Sequence, residues 1–362
     1  MPAGAEFMRV NTGVIATEYR AYAKVNLILA VGARRPDGYH DLATVMVPVT
    51  LSDLVSVGLE PRPCAGEPEA NAFPPVGDRQ FSQEALPIRL SCPGLPDVPP
   101  HKNLAYRAAA AFLEKTGVRP GVSIVVEKRI PWGAGMGGGS SDAAAVLSAL
   151  NSLLAPEHAL RPDELVSLAA SIGADVPFLV GCNSRPPLWE GALCVGIGEK
   201  VTPVHVPNMW LVIAFPNAPV QTGQVYALLD DIRQAESDFP CVSPGAVKGS
   251  EPGEPSQDDR VRGFLDALSS GDTAEIGRGL FNDLEEAAMR LNPEIARLKR
   301  MFYECGALGA LMTGSGSAVY GIAPSEAGAR EMRLRLGQMV AGSELEVRDI
   351  IVARTGVEQN GC

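Results

Sequence analysis

Histidine is scarce in this 362-residue chain, with four in all, and its seven cysteines form no Cys-x-x-Cys pair. No sequence-local zinc cluster can be built from such a set. The cysteines (Cys64, Cys92, Cys182, Cys194, Cys241, Cys305, Cys362) are odd in number, which speaks against a disulfide framework and for a reduced, cytoplasmic compartment. No apolar run reaches 18 residues, so no membrane-spanning helix is expected. The first residues also lack the charged segment and apolar run of a signal peptide. Positive charge is in deficit, 31 Lys and Arg against 42 Asp and Glu, for a net charge of −11. Nothing therefore offsets phosphate repulsion over a whole surface, which argues against a nucleic-acid partner. Also absent is the Gly-Lys-Ser/Thr ending of a Walker A loop.

What remains is ordinary in bulk and unusual in one place. At 46% apolar and 20% charged, the chain has the composition of a soluble globular protein, long enough for two domains. The unusual stretch is Pro131-Trp132-Gly133-Ala134-Gly135-Met136-Gly137-Gly138-Gly139-Ser140-Ser141. Before it, Val122, Ile124 and Val126 alternate as in a half-buried strand; after it, Leu147, Leu150 and Leu154 stand at helical spacing. Glycines there let the backbone turn sharply and approach a ligand. Successive N–H groups at the start of a helix then make a concavity of positive potential, suited to a phosphate chain. Ser140 or Ser141 can cap the helix or place a hydroxyl near a phosphate-bound Mg²⁺. Gly133, Gly135 and Gly138 fit G-x-G-x-x-G, but no early βαβ unit supports a dinucleotide fold. Asp142 suits the helix dipole and repels phosphate, so its side chain is expected to point away from the ligand.

Taken in order, residues 19–29 read as a strand on which Lys24 and Asn26 project the same way. Pro36-Asp37-Gly38 is a turn signal that presents Tyr39 and His40 at a loop edge, and 45–57 reads as one or two further strands. From 61 to 100, ten prolines in forty residues predict a long loop insertion. A helix follows over 104–115, and Arg161-Pro162-Asp163 opens another through Ile172. Asp175, in Gly173-Ala174-Asp175-Val176-Pro177, is either a turn or capping aspartate or a carboxylate with a chemical task. A short strand over 210–215 and a helix after Val220 precede a second polar insertion over 236–260. A second glycine-rich turn, Thr313-Gly314-Ser315-Gly316-Ser317, leads into the strand 318–322.

Lys24-Val25-Asn26, the 131–144 loop and the 313–317 loop resemble, in order and spacing, the three signature motifs of the GHMP kinases. Asp37-Gly38-Tyr39-His40 and Gly173-Ala174-Asp175-Val176-Pro177 resemble the branch that phosphorylates a cytidine-diphosphate-linked polyol in the non-mevalonate isoprenoid route. The resemblance implies an α+β fold in two parts. An N-terminal domain over 9–204 would be like the second domain of ribosomal protein S5, and a C-terminal domain over 205–356 would be ferredoxin-like. It further implies ATP as co-substrate with Mg²⁺, whose ligands it does not identify, and 131–141 as the phosphate cradle. Asp175 is implied as the base that takes the acceptor proton, with Lys24 stabilising charge on the transferring phosphoryl. Asn26 would orient the acceptor, Tyr39 and Tyr226 would stack on the cytosine, His40 would bond its edge, and Thr222 would line that pocket. His101, Lys102 and Asn103 would border the adenosine side. A monomer or weak homodimer is implied. The alternatives are another GHMP kinase, for mevalonate, homoserine or a sugar, and a non-catalytic nucleotide-binding protein.

Overall fold

Small and branched residues alternate along two long stretches, and these become the strands on which the rest is built. The computed structural model describes residues 8–9, 15–60, 88–93, 98–238 and 256–358. A two-residue strand β1 (Met8–Arg9) lies against β2 (Ile15–Arg34), which pairs antiparallel with β3 (His40–Glu60). The turn between β2 and β3 is the one the Pro-Asp-Gly signal predicts. Gly38 has φ +89°, and the Asp37 carboxylate accepts from the Tyr39 N–H at 3.1 Å. The pairing shifts between Tyr22 and Lys24 and again between Asn26 and Ile28. Such irregularities re-aim side chains, and here both polar residues are buried along with their apolar neighbours Ala23, Val25 and Leu27.

β3 is one strand where the pattern allowed two, because its halves serve different partners. Residues 54–60 pair with β5 (Gly121–Glu127), and residues 42–46 pair with β6 (Gly191–Gly196), which pairs in turn with β7 (Lys200–Val204). The expected 61–100 loop needs correction. Residues 61–87 and 94–97 lie outside the described residues, but Ile88–Ser91 forms a strand, β4, parallel to β5. Ile88 and Leu90 supply the apolar alternation that proline-rich surroundings concealed.

Three helices pack on this sheet, α1 (Leu104–Thr116), α2 (Gly138–Leu153) and α4 (Val176–Cys182), while α3 (Pro162–Ile172) packs against those helices. Asn103 caps α1, its Oδ1 accepting from the Ala105 N–H at 2.9 Å, and Gly117 ends it with φ +73°. α2 is buried nearly all round; small Ala143, Ala144, Ala145 and Ala149 let it lie close to its neighbours, while Leu147 and Leu150 fill the core between sheet and helices. Each such leucine contributes about 1.5–3 kcal/mol by burial.

The chain then enters β8 (Trp210–Pro216) and the helices α5 (Thr222–Asp238), α6 (Gln257–Ser270) and α7 (Thr273–Arg278). A two-residue strand β9 (Phe281–Asn282) precedes α8 (Glu285–Leu291) and α9 (Glu294–Glu304). The strands β10 (Gly309–Met312) and β11 (Val319–Ala323), the helix α10 (Glu326–Ala341) and β12 (Val347–Arg354) complete it. β8, β10, β11 and β12 make an antiparallel sheet in the order β10-β11-β8-β12, the ferredoxin-like arrangement. Of the expected 236–260 insertion, 239–255 lie outside the described residues, whereas 236–238 and 257–260 are helical. β9 returns to the first sheet and pairs parallel with β2 at Ile28 and Leu29. One buried cluster joins both sheets, with Val25, Leu27 and Val47 against Leu211, Ile213, Leu311 and Tyr320.

Candidate active site

The glycine-rich segment that begins at Pro131 runs into Gly137, which stands at the N-cap of α2 in the left-handed conformation with φ +69°. Any Cβ there would sit 3.2–3.3 Å from Lys24 carbons and 3.4 Å from Asp175 Oδ2, so glycine alone lets the loop close over both groups. α2 begins at once, and the N–H groups of Gly138, Gly139 and Ser140 have no acceptor within the helix. Gly139 lies close to Leu104, the first residue of α1, so two helix N-termini meet here, with His101, Lys102 and Asn103 beside them. That convergence of N–H groups and dipoles is what a phosphate chain requires.

Not every residue of 131–141 faces the concavity. Ala134 and Met136 are buried in the core, whereas Trp132 is exposed. Ser141 is a correction. Its hydroxyl donates to the Tyr22 carbonyl at 2.7 Å and its N–H to the Gly137 carbonyl at 2.8 Å, so it neither caps the helix nor faces a ligand. Ser140 is the serine left, its hydroxyl making no hydrogen bond among the described residues.

Lys24 is drawn into this loop from β2. Its backbone N–H donates to the Met136 carbonyl and its Nζ to the Gly135 carbonyl, each at 3.0 Å. Nζ also donates to Asn26 Oδ1 at 2.7 Å and lies 3.7 Å from Asp175 Oδ2. Asp175 stands at the N-cap of α4, where Pro177 in the first turn costs no hydrogen bond. Its side chain does not cap the helix. The carboxylate is instead 30% exposed, and its Lys24 partner only 5%: one group is reachable, the other sealed in behind it.

Asn26 takes a different place from the one expected. Oδ1 accepts from Lys24 Nζ and from the Thr313 hydroxyl at 3.2 Å, and Nδ2 donates to Thr44 Oγ1 at 2.8 Å. With Asn26 only 3% exposed, these bonds make it a fixture that holds Lys24. The 313–317 turn lies directly behind. The Asn26 N–H donates to Thr313 Oγ1 at 3.1 Å, and Ala318 N–H to the Ala134 carbonyl at 3.3 Å. Asn282 pins the same turn by donating to the Met312 and Gly314 carbonyls at 2.9 and 2.8 Å.

Under the first turn of α2 lies a buried charge cluster that no local pattern announces. Lys128 Nζ donates to Asp53 Oδ2 at 2.5 Å and to Asp142 Oδ2 at 2.8 Å. Asp53 Oδ1 also accepts from the N–H groups of Arg129 and Ile130. Burial would lower Lys128, but Asp142 and then Asp53 override it and raise it. Asp142 is turned away from the concavity, as expected, and its Oδ1 has no partner among the described residues. Burial pushes its carboxyl up to about 7; Lys128 opposes this and Asp53 reinforces it, since one ammonium cannot serve two carboxylates equally. An unfolded chain would release that proton near pH 4 while the folded one keeps it. Stability contributed by this group is therefore present below about pH 4 and lost as pH rises to about 7. Asp142→Asn should flatten that decline, which denaturant midpoints at pH 5 and pH 8 for both proteins would reveal; equal slopes would refute it.

The remaining expected residues gather along α5. Tyr226 stacks on His40, ring centroids 5.2 Å apart, and His40 Nε2 lies 2.8 Å from Asp230 Oδ1. Burial and then the Asp175 charge push the Tyr226 phenol up to about 12. Thr222 Oγ1 lies 2.7 Å from Ser315 Oγ and so bridges to the 313–317 turn. Tyr39 projects from the β2–β3 turn, 60% exposed. Asp230, Thr44, Asp53 and Lys128 were not anticipated; only the i, i+4 spacing of Tyr226 and Asp230 on one helix face offered a hint.

Among the described residues no group of three or more His, Cys, Asp or Glu side chains is placed to hold a metal ion. No described helix is long and apolar enough to cross a membrane. Residues 103–182 match the model of the GHMP kinases N-terminal domain, and residues 264–342 that of the GHMP kinases C-terminal domain. Fold and site together define the class, a GHMP kinase.

Shape does not settle the branch. A homoserine kinase from Cytophaga hutchinsonii superposes with a TM-score of 0.64 at 20% identity, covering 97% of each chain, which shows a common fold. A crystal structure of 4-(cytidine 5'-diphospho)-2C-methyl-D-erythritol kinase superposes with a TM-score of 0.63 at 33% identity, over 94% of this chain and 99% of that one. The 4-diphosphocytidyl-2-C-methyl-D-erythritol kinase of Symbiobacterium thermophilum is 40% identical over 315 residues, 86% of this chain and 93% of the relative. The chain belongs to the 4-diphosphocytidyl-2-C-methyl-D-erythritol kinase family.

Proposed function

We propose that the protein transfers the γ-phosphoryl group of ATP to the 2-hydroxyl of 4-diphosphocytidyl-2-C-methyl-D-erythritol, giving the 2-phosphate and ADP. This is a step of the non-mevalonate route to isoprenoid precursors. The observation that carries the reading is the Lys24–Asp175 pair, 3.7 Å apart and adjacent to the glycine at the N-terminus of α2. Phosphoryl transfer asks a protein mainly for positioning and for charge stabilisation. The free N–H groups of Gly138, Gly139 and Ser140 serve as donors to the phosphate chain. Asp175, the exposed member of the pair, accepts the proton of the acceptor hydroxyl. Lys24, held by Asn26 and the Gly135 carbonyl, directs its charge at the oxygens of the group in transit.

Magnesium binds to triphosphate through hard oxygens and needs few protein ligands. The residues present fit such an ion: the unbonded Ser140 hydroxyl lies near Gly173, two residues before Asp175, so Ser140 would hold it. When bound, it neutralises charge on the phosphate oxygens. On the acceptor side, His40 and Tyr226 supply an aromatic and hydrogen-bonding wall suited to a nucleobase, with exposed Tyr39 available to cover it.

Coupled ADP release measured with the cytidine substrate, mevalonate, homoserine and galactose tests the reading. Turnover is expected with the first. Turnover only with one of the others would overturn it.

A further inference from the structure

One helix grips the His40 ring from two directions. Tyr226 and Asp230 stand one turn apart on α5, so their side chains leave the same face. Tyr226 lies against the face of the imidazole, its plane inclined at 28°, and Asp230 meets the edge at Nε2. The second oxygen of Asp230 is 3.8 Å from an Arg34 guanidinium nitrogen, so the carboxylate is held at both oxygens. Arg233 then fastens α5 to the end of β2, donating to the Val31 carbonyl at 2.8 Å and the Gly32 carbonyl at 3.2 Å. Helix, hairpin and imidazole are thereby fixed relative to one another, and His40 is only 7% exposed.

A carboxylate offers acceptors alone. Nε2 must therefore carry the hydrogen, and in the neutral ring Nδ1 is left as a bare acceptor. Nδ1 makes no hydrogen bond to the described residues. We propose that Asp230 is a positioning residue that locks His40 in the Nε2–H tautomer and thereby makes the nucleobase pocket select cytosine over uracil. The inference rests on the cytidine reading above. Cytosine carries an amino donor at N4 where uracil, like thymine, carries a carbonyl acceptor at O4. A bare nitrogen accepts from the amino group, but against the carbonyl it sets lone pair against lone pair. Without the carboxylate the imidazole is free to take either tautomer, and the distinction fades.

Calorimetric titration of CDP and UDP into the full chain tests this, with the parent, Asp230→Ala and Asp230→Asn. The parent should prefer CDP by about tenfold to a hundredfold, the usual worth of a mispaired buried polar group. Asp230→Ala should bring the ratio to within about threefold. Asp230→Asn, whose amide oxygen still accepts from Nε2–H, should keep part of the preference. A merely structural role would weaken both nucleotides alike and leave the ratio intact. Long-range proton–nitrogen correlation spectra of the parent supply a readout independent of any variant, with His40 expected as the Nε2–H form. A parent that prefers CDP, with Asp230→Ala folded and equally selective, overturns this inference alone, as does an Nδ1–H tautomer in the parent. A parent with no preference overturns the cytidine reading and this inference with it.

Discussion

Asp175→Asn should lower kcat about 10²–10⁴-fold, the usual cost of removing a general base, while binding of ATP and of the cytidine substrate stays within a few-fold. The substitution keeps shape and polarity and removes proton affinity. It should also leave the fold intact. The Asp175 side chain does not cap α4, and Lys24 retains Asn26 Oδ1 and the Gly135 carbonyl when the carboxylate is gone. The expected change in stability is small, about 0–1 kcal/mol, as for a partly exposed ion pair whose lysine keeps two other acceptors. Steady-state kinetics with a denaturation curve decide the matter. A folded variant with parental kcat would remove Asp175 from the chemistry, whereas a loss seen only in KM would make it a binding group. The fact that the pair is 3.7 Å apart, beyond hydrogen-bond length, leaves the carboxylate free for an incoming hydroxyl.

Gly135→Ala should produce the largest loss of stability among conservative changes in the 131–141 glycine-rich loop. Gly135 has φ +73°, where an alanine costs roughly 1–2 kcal/mol. Its Cβ would fall 2.3 Å from the Thr313 carbonyl oxygen and 2.9 Å from that of Gly316, both main-chain atoms that cannot step aside. Overpacking adds about 1–3 kcal/mol. Gly117→Ala is the control, for Gly117 has the same φ of +73° but no described residue within 4 Å of an added Cβ. It should show the backbone cost alone. Because the two turns press together behind Lys24, Gly135→Ala should lose activity as well, and Gly117→Ala should not. Equal unfolding midpoints for the two variants would show that the turns separate freely.

Local chemistry was legible in the residues where the interaction spans a few positions. Pro36-Asp37-Gly38 specifies its turn through φ and an aspartate side chain, and the strand-to-helix passage through 131–141 was visible from the change of period. Lys24 and Asn26 were rightly put on one face, but nothing nearby reveals that Thr313, 287 positions from Asn26, supplies its partner. The same limit hid Asp53 beneath Lys128, because a buried ammonium recruits carboxylates by packing and not by spacing. Ser141 failed for a related reason. A hydroxyl at a helix start has several candidate acceptors, and only the approach of β2 gives it the Tyr22 carbonyl. In β4, two apolar positions were outweighed by the prolines around them.

Phe281 and Asn282 make the briefest described strand of the later half, yet they return to lie along β2, and Asn282 reaches on to clasp the turn that backs the 131–141 loop. Lys24 thus sits on a strand that has one neighbour from more than 250 residues downstream. A chimaera joined between the two sheets would have to match this splice as well as the visible junction. Exchanging one half alone would leave β2 without the partner strand and Asn282 without the turn carbonyls it holds, so the two parts are physically one unit and not interchangeable cassettes.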